Sequence, residues 1–173
     1  MSALARLCSL LREGGGLMAA LVAAEPDGAG SSPAGAAAAG PRAAGRREDY
    51  ELLMEAIYEG YLLHYSTPRV VHIPDADLRL LAGDRMYAIG LARLVALGDT
   101  QAVAELADTI TLSALAQGAG STDLADAVWS AGARAVGWGA SDEHLRAKRL
   151  VLAGDPEAIA AMRTCALAGS APS

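Results

Sequence analysis

Three carboxylates lie on two neighbouring predicted helices, and carboxylate oxygens are ligands that Mg²⁺ prefers. Glu55 and Glu59 are one helical turn apart, and Asp84 lies in the next predicted helix. Together they could hold a magnesium ion through bridging waters. A run of charges is more often a solvated helix face, and three scattered carboxylates are a weak metal signature. The sequence therefore favours a solvated acidic face, and a magnesium-dependent enzyme remains an alternative.

Aromatic side chains recur along the same two helices. Helical spacing places Tyr58, Tyr61 and Tyr65 on the first helix, and Tyr87 on the second. We expect these rings to cluster where the two helices cross. An aromatic group at a helix crossing is more often part of the core than a platform for a ligand.

An unusual glycine precedes Asp84 in the second helix. Gly83 costs about 1 kcal/mol relative to alanine inside a helix, so we expect it to permit a close helix approach. Asp84 could then cap or pair with a neighbour, and Arg85 and Arg93 are the obvious candidates. The residues that we single out as candidates for a ligand or interface site are Tyr58, Tyr61, His64, Asp84 and Tyr87.

No familiar catalytic or metal-binding motif occurs in the chain. His64, His72 and His144 are far apart, and no Glu-x-x-His, His-Glu-x-x-His or Cys-x-x-Cys pattern is present. A nucleophile elbow and a phosphate-binding glycine loop are absent as well. We therefore predict no catalytic residue, no metal site and no cofactor, and we expect the histidines to be structural.

Capping residues divide the second part of the chain into helices. A helix over 48–65 leads into a connector bounded by Pro68 and Pro74, which we expect to be extended and partly buried. Asp75 is suited to N-cap the next helix, and the Gly98-Asp99 pair is suited to end it and begin another. Predicted helices cover 48–65, 75–97, 99–117, 122–137, 142–153 and a segment with Pro156 at its first position.

Composition supports an all-α protein and excludes several classes of partner. Apolar residues make up 53% of the chain, phenylalanine is absent, and alanine, the best helix former, is abundant. The net charge is −6 and no basic cluster tracks phosphates, so we predict no nucleic-acid partner. The sequence contains no run of 18 or more apolar residues, so we predict no transmembrane segment. With two distant cysteines and no uninterrupted apolar segment of the kind found in signal peptides, we predict a cytoplasmic protein.

The predicted organisation is an antiparallel bundle of five to seven helices. Residues 1–24 should form short amphipathic helices hinged at a glycine triplet. Residues 25–47 are rich in Ala, Gly and Pro, and we predict a disordered linker there. A helical domain should follow over 48–168, and a disordered tail over 169–173.

The order of these helices resembles a known family. The segment 80–88, LLAGDRMYA, resembles the "LAGDYLLA" helix start of all-α trans-prenyl diphosphate synthases. In that family the preceding helix ends in a Leu-His-Asp-Asp segment that begins the first aspartate-rich motif. This chain has LLHYSTP over 62–68 at the corresponding place. The Gly98-Asp99 corner and the helix after it are also similar, so that the resemblance covers about residues 48–120.

The resemblance implies a scaffold without its own chemistry. The family's aspartates would fall at Tyr65 and Ser66, and no second Asp-Asp-x-x-Asp motif occurs. Ionising an allylic diphosphate requires Mg²⁺ to neutralise the leaving pyrophosphate. The chain is therefore most similar to the non-catalytic small subunit of heteromeric long-chain prenyl synthases. In those enzymes a catalytic partner supplies the aspartates, and the small subunit shapes the hydrophobic chain tunnel.

A second interpretation from another class stays open. Alanine-rich helices without phenylalanine present smooth faces that suit packing against a second chain. The protein could therefore be a helical homo-oligomeric scaffold or interaction protein with no isoprenoid role.

Overall fold

The computed structural model describes residues 1–28 and 32–168. These ranges contain nine α-helices, one 3₁₀ turn at Pro41–Ala43, and no strand beyond a single bridge between Val22 and Val71. The predicted all-α class is confirmed, and six of these helices follow residue 46, within the five to seven predicted after the N-terminal arm. Every helix in these two ranges is too short or too polar to cross a membrane. The helices are α1 (Ala3–Glu13), α2 (Gly16–Leu21), α3 (Ala34–Ala39), α4 (Arg47–Tyr65), α5 (Ala76–Leu97), α6 (Thr100–Gly118), α7 (Thr122–Trp138), α8 (Asp142–Leu152) and α9 (Ala158–Leu167).

The predicted capping residues begin and end the long helices. The Asp75 carboxylate accepts a hydrogen bond from the Leu78 backbone N–H at 2.7 Å and starts α5. Gly98 ends α5 in the left-handed conformation, at φ +76°, which glycine adopts at no steric cost. The Asp99 carboxylate then accepts from the Ala102 N–H at 3.0 Å and starts α6.

The chain forms two compact units. The first comprises Met1–Gly35 and Arg46–Gly98. Its apolar core lies between α1, α4 and α5, and the connector after α4 completes it. As predicted, that connector is extended and partly buried. Val70 and Ile73 are buried, the Ala23 N–H donates to the Val70 carbonyl oxygen, and the His72 N–H donates to the carbonyl oxygen of Leu21 at the end of α2. One cluster of buried core residues consists of Leu7, Cys8, Leu11, Ala56, Leu63, Val70, Val71, Ile73, Ala82 and Met86.

The second unit comprises Ala36–Gly45 and Asp99–Ser173. Helix α7 lies at its centre and packs against α6 and α9, while α8 packs against α9 and α6. One cluster of buried core residues in α6–α9 consists of Leu112, Ala127, Val128, Ala131, Ala147, Val151, Ala158, Met162 and Cys165. Small side chains dominate, as expected from the alanine content.

The alanine-rich segment 25–47 is ordered where the structure describes it, so the prediction of a disordered linker is not supported there. It forms α3 and the 3₁₀ turn, and Ala37, Ala38 and Ala43 are buried. Alanine repeats at helical spacing can bury a flat face when a glycine opposite removes the steric barrier. A Cβ on Gly137 of α7 would lie 2.5 Å from the Ala37 carbonyl oxygen of α3.

Three further predictions concern the N-terminal and C-terminal parts of the chain. The last helix begins at Ala158 rather than at Pro156, because the Asp155 carboxylate accepts from the Glu157 N–H and forms a turn first. The predicted disordered tail over 169–173 lies outside the described residues. The predicted hinge at the glycine triplet is present, since Gly15 and Gly16 have φ values of +65° and +68°.

Candidate functional site

The crossing of α4 and α5 depends on three glycines. A Cβ on Gly83 would lie 2.6 Å from the His64 ring and 3.1 Å from the Gly60 carbonyl oxygen. A Cβ on Gly90 would lie 2.2 Å from the Ile57 Cγ1 atom. The prediction that Gly83 permits a close helix approach is confirmed, and the pairing order shows that the two helices are antiparallel.

His64, Asp84 and Tyr87 form one constellation at this crossing. The His64 Nε2 atom lies 3.1 Å from the Asp84 Oδ1 atom, and the ring nitrogen donates because a carboxylate only accepts. The His64 ring stacks on Tyr87 with a centroid separation of 5.4 Å and an interplanar angle of 8°. Asp84 therefore pairs with a histidine of the neighbouring helix, and the expected pairing with Arg85 or Arg93 is wrong.

The tyrosines continue this constellation along α4. Tyr58 stacks on Tyr61 at 5.7 Å, and Tyr61 contacts Tyr65 at 5.5 Å. Tyr65 in turn contacts the His64 ring at 5.8 Å. Four of the five predicted candidates thus belong to one continuous row of ring contacts at the helix crossing, as the spacing predicted, and the fifth, Asp84, contacts this row through His64.

The ionisation of Tyr87 is suppressed in this row. Burial raises the pKa of the Tyr87 hydroxyl, and the nearby Tyr65, Tyr61 and Asp84 raise it further. The hydroxyl therefore stays protonated across the neutral range, and it can donate a hydrogen bond but cannot act as a general base there.

Glu55 and Glu59 are buried, so the predicted solvated acidic face is wrong at these two positions. Both carboxylates bind Arg69 of the connector: Glu55 Oε2 accepts from Arg69 Nη2 at 2.7 Å, and Glu59 Oε2 accepts from Arg69 Nε at 3.2 Å. Glu59 also accepts from the backbone N–H groups of Arg69 and Val70, at 2.5 and 2.8 Å. The guanidinium lies 5.2 Å from the Tyr58 ring centroid.

These contacts separate the three carboxylates that could have formed a magnesium site. Glu55 and Glu59 share one guanidinium, whereas Asp84 binds His64. In the part of the chain that the structure describes, no three His, Cys, Asp or Glu side chains are grouped to hold a metal ion. The arrangement makes Glu55 and Glu59 anchors of the connector.

A second polar cluster lies within the other unit, and the sequence reasoning missed it. Glu105 of α6 binds two side chains of α8: His144 Nε2 at 2.7 Å and Lys148 Nζ at 2.5 Å. Lys148 also donates to Asp108 at 2.9 Å. Burial lowers the pKa of Lys148, but its hydrogen bonds to Glu105 and Asp108 outweigh burial and raise it, so the ammonium stays charged.

A spacing signal for this cluster was present in the sequence. Glu105 and Asp108 are three residues apart, and His144 and Lys148 are four apart, so each pair shares one helix face. Opposite charges on two helices indicate pairing only if the helices are neighbours, which the sequence alone did not establish. The expectation that His144 is structural fits its buried contact with Glu105.

The two cysteines do not add a nucleophile to either cluster. Cys8 and Cys165 are buried, and burial raises the pKa of both thiols. A raised pKa disfavours the reactive thiolate. Cys165 lines a small cavity together with His144. Yet within the described ranges the His144 Nδ1 atom has no hydrogen-bond partner, so the thiol does not bind it.

In comparisons with protein families, curated proteins and solved structures, nothing matches this chain. The function has to be inferred from the chain's own residues. The α4–α5 crossing contains all five predicted site residues, and it is the candidate functional site.

Proposed function

We propose that this protein is a non-catalytic accessory subunit that pairs with a catalytic prenyl diphosphate synthase and helps to shape its chain-length tunnel. The proposal starts from the resemblance over about residues 48–120. It assigns the protein a role in positioning a partner rather than in transferring a prenyl group.

The observation that carries this proposal is the state of the carboxylates on the helix pair. Each one that could have bound Mg²⁺ is committed to a protein cation or to histidine: Glu55 and Glu59 to Arg69, and Asp84 to His64. A metal site built from them would leave the Arg69 guanidinium in its buried position without a counter-charge, which is costly. The helix pair is therefore suited to support a partner's active site rather than to form one.

The form of the crossing is a second support. The glycine of the family-like LAGD segment, Gly83, is the point at which α5 touches α4. The Gly98-Asp99 corner ends α5 and starts α6, which is the element order that the resemblance requires. We infer from this order that α4 and α5 correspond to the family's first motif helix and the helix that follows it.

Co-purification tests the proposal. The full chain should be co-expressed with the catalytic prenyl diphosphate synthase encoded by the same genome, and the synthase alone serves as the control. We expect a stable complex and a product of different chain length from that of the control. An absence of association together with an unchanged product length would refute the proposal.

A homo-oligomeric scaffold is the second candidate, because α5 exposes large apolar side chains. Leu81 and Val95 are 66% and 63% exposed. Exposed apolar residues on a helix can pack against a second copy of the same chain. Light scattering of the purified protein alone discriminates: a tight homodimer favours the scaffold, and a monomer that forms a complex only with the synthase favours the accessory subunit.

A further inference from the structure

A groove within the first unit has an apolar floor, and we call it the hinge groove. It has a volume of about 340 Å³, at the lower end of the range of roughly 300–1,000 Å³ that is typical of ligand sites. Leu10 and Leu11 of α1, with Leu17 and Met18 of α2, line one side. Ile89 of α5 lines the other. The glycine triplet between α1 and α2 forms the bend that opens the groove.

Two arginines flank this floor on α5. Arg85 and Arg93 both line the hinge groove, one turn before and one turn after Ile89. Their eight-residue separation corresponds to about 12 Å along a helix axis. Within residues 1–28 and 32–168, neither guanidinium has a hydrogen-bond or ion-pair partner. By contrast, Arg6 and Arg69 of the same unit each bind a carboxylate.

Exposed apolar residues extend the surface beyond the groove. Leu17 is 59% exposed at its edge, and Leu81 lies one turn before Arg85 on α5. The surface is therefore an apolar strip with a cation near each end of the groove, in a chain whose net charge is −6.

We infer that the hinge groove binds an amphipathic helix of the partner protein, with its apolar face on the strip and two acidic residues paired with Arg85 and Arg93. Two helical turns span about 11 Å. Acidic residues seven or eight positions apart on the partner helix would therefore face the two guanidiniums. Amphipathic helices bind apolar grooves through anchors at such spacings, and arginine is enriched among residues that dominate interface energies.

Other occupants fit the charges less well. A small acidic amphiphile has one head group, so it would leave one of two separated guanidiniums unpaired. An anionic membrane surface attracts a cluster of basic residues, with about 1 kcal/mol per Lys or Arg, whereas this chain carries a net charge of −6.

The inference deepens the proposed function and rests on it for the identity of the partner. The surface itself can be tested without that identity. The probe is a fluorescent 18-residue amphipathic peptide with leucines at helical spacing and two glutamates eight positions apart. The matched peptide has lysines in place of the two glutamates. Fluorescence anisotropy measures the binding of each peptide to the full-length protein.

We expect the wild-type protein to bind the glutamate peptide more tightly than the lysine peptide, by roughly tenfold. The double variant Arg85→Glu/Arg93→Glu should reverse this preference. The control Arg146→Glu/Arg149→Glu makes the same change of charge on exposed residues of α8 and should keep the wild-type preference. Added salt should weaken binding of the glutamate peptide.

Several results would overturn the inference. These are equal binding of both peptides, no binding of either, or an unchanged preference in the α5 double variant once circular dichroism shows that it is folded. Binding to anionic vesicles that the α5 double variant abolishes, or a homodimer that it dissociates, would assign the surface to a membrane or to a second copy.

The two proposals can fail separately. If the synthase associates equally with wild-type protein and with the α5 double variant, the accessory-subunit proposal stands and the hinge groove is not its interface. If the charge-dependent peptide binding is found but no synthase associates, the surface is supported and the partner is another protein.

Discussion

Replacing Glu59 by alanine should strongly destabilise the first unit, because this carboxylate holds the connector against α4. Glu59 is fully buried and accepts hydrogen bonds from the Arg69 and Val70 backbone N–H groups and from the Arg69 guanidinium. Alanine removes all three acceptor contacts at once.

The magnitude follows from the groups left behind. A buried N–H without an acceptor costs about 1–3 kcal/mol, and breaking a buried ion pair costs about 3–5 kcal/mol. These contributions overlap, and Glu55 still accepts from Arg69 after the change. We therefore expect a loss of about 3 kcal/mol, equivalent to a decrease in Tm of roughly 6–12 °C for a chain of this size.

Urea and thermal denaturation followed by circular dichroism measure this loss. The matched control is Glu48→Ala in the same helix. Its side chain is 83% exposed, and the change removes only a contact of 3.9 Å between the Glu48 Oε2 atom and the Arg6 Nη1 atom. The control should change stability by less than about 1 kcal/mol. If the free energy of unfolding of Glu59→Ala lies within about 1 kcal/mol of the wild-type value, this carboxylate does not anchor the connector.

The pH dependence of stability offers an independent check on the same residue. Burial raises the pKa of the Glu59 carboxyl, against the opposing effects of the Val70 N–H and of Arg69. The folded state then holds the proton more tightly than the unfolded state does. Glu59 therefore favours folding most at acid pH, and this contribution falls as the pH rises from the ordinary glutamate pKa of about 4.3 through the raised folded value.

The variant Glu59→Gln cannot titrate and serves as the reference for this pH series. We expect the stability of the wild type relative to Glu59→Gln to be greatest near the acid end of the window and to decline to a plateau above the folded pKa. Urea denaturation of both proteins between about pH 4 and 7 measures the difference. A wild-type advantage that grows with pH would mean that the folded pKa is lowered and that the ion pair outweighs burial.

Two other changes test the packing of each unit by the same denaturation assay. Gly90→Ala places a methyl group against Ile57 and should cost about 1–3 kcal/mol of stability through overpacking. The control Gly118→Ala meets nothing within 4 Å and should be nearly neutral. Equal effects of the two changes would contradict the close helix approach. Lys148→Met leaves the buried Glu105 carboxylate without the ammonium and should cost about 3–5 kcal/mol of stability. The control Arg149→Met changes an exposed residue of the same helix and should alter stability by less than about 0.5 kcal/mol. A Lys148→Met variant as stable as the wild type would show that the ion pair contributes nothing.

Local signals made the helix boundaries predictable. Asp75, Gly98 and Asp99 act through contacts with residues three or four positions away, so their residue types suffice to identify the ends of α5 and the start of α6. The aromatic row was predictable for a similar reason. Helical periodicity placed Tyr58 and Tyr61 on one side of α4, and Gly83 indicated where α5 would approach.

The partners of the charged residues were not predictable, because they lie far apart in the chain. Arg69 sits in an irregular connector, where no periodicity shows which way a side chain points. Glu105 and Lys148 are 43 positions apart and meet only because α8 packs beside α6. Burial of Glu55 and Glu59 depends on the same long-range packing, so a run of glutamates suggested a solvated face instead.

The position of the alanine-rich segment has a consequence for synthesis of the chain. Ala36–Gly45 is made before α4 and α5, yet it belongs to the second unit and contacts α7. Arg42 in this segment donates to the Val136 carbonyl oxygen and to Asp99. At a translation rate of about 5–20 residues per second, α7 is therefore synthesised several seconds after this segment. The two units are interleaved in the order of their residues, so a cut at the Gly98-Asp99 corner would give neither fragment a complete second unit.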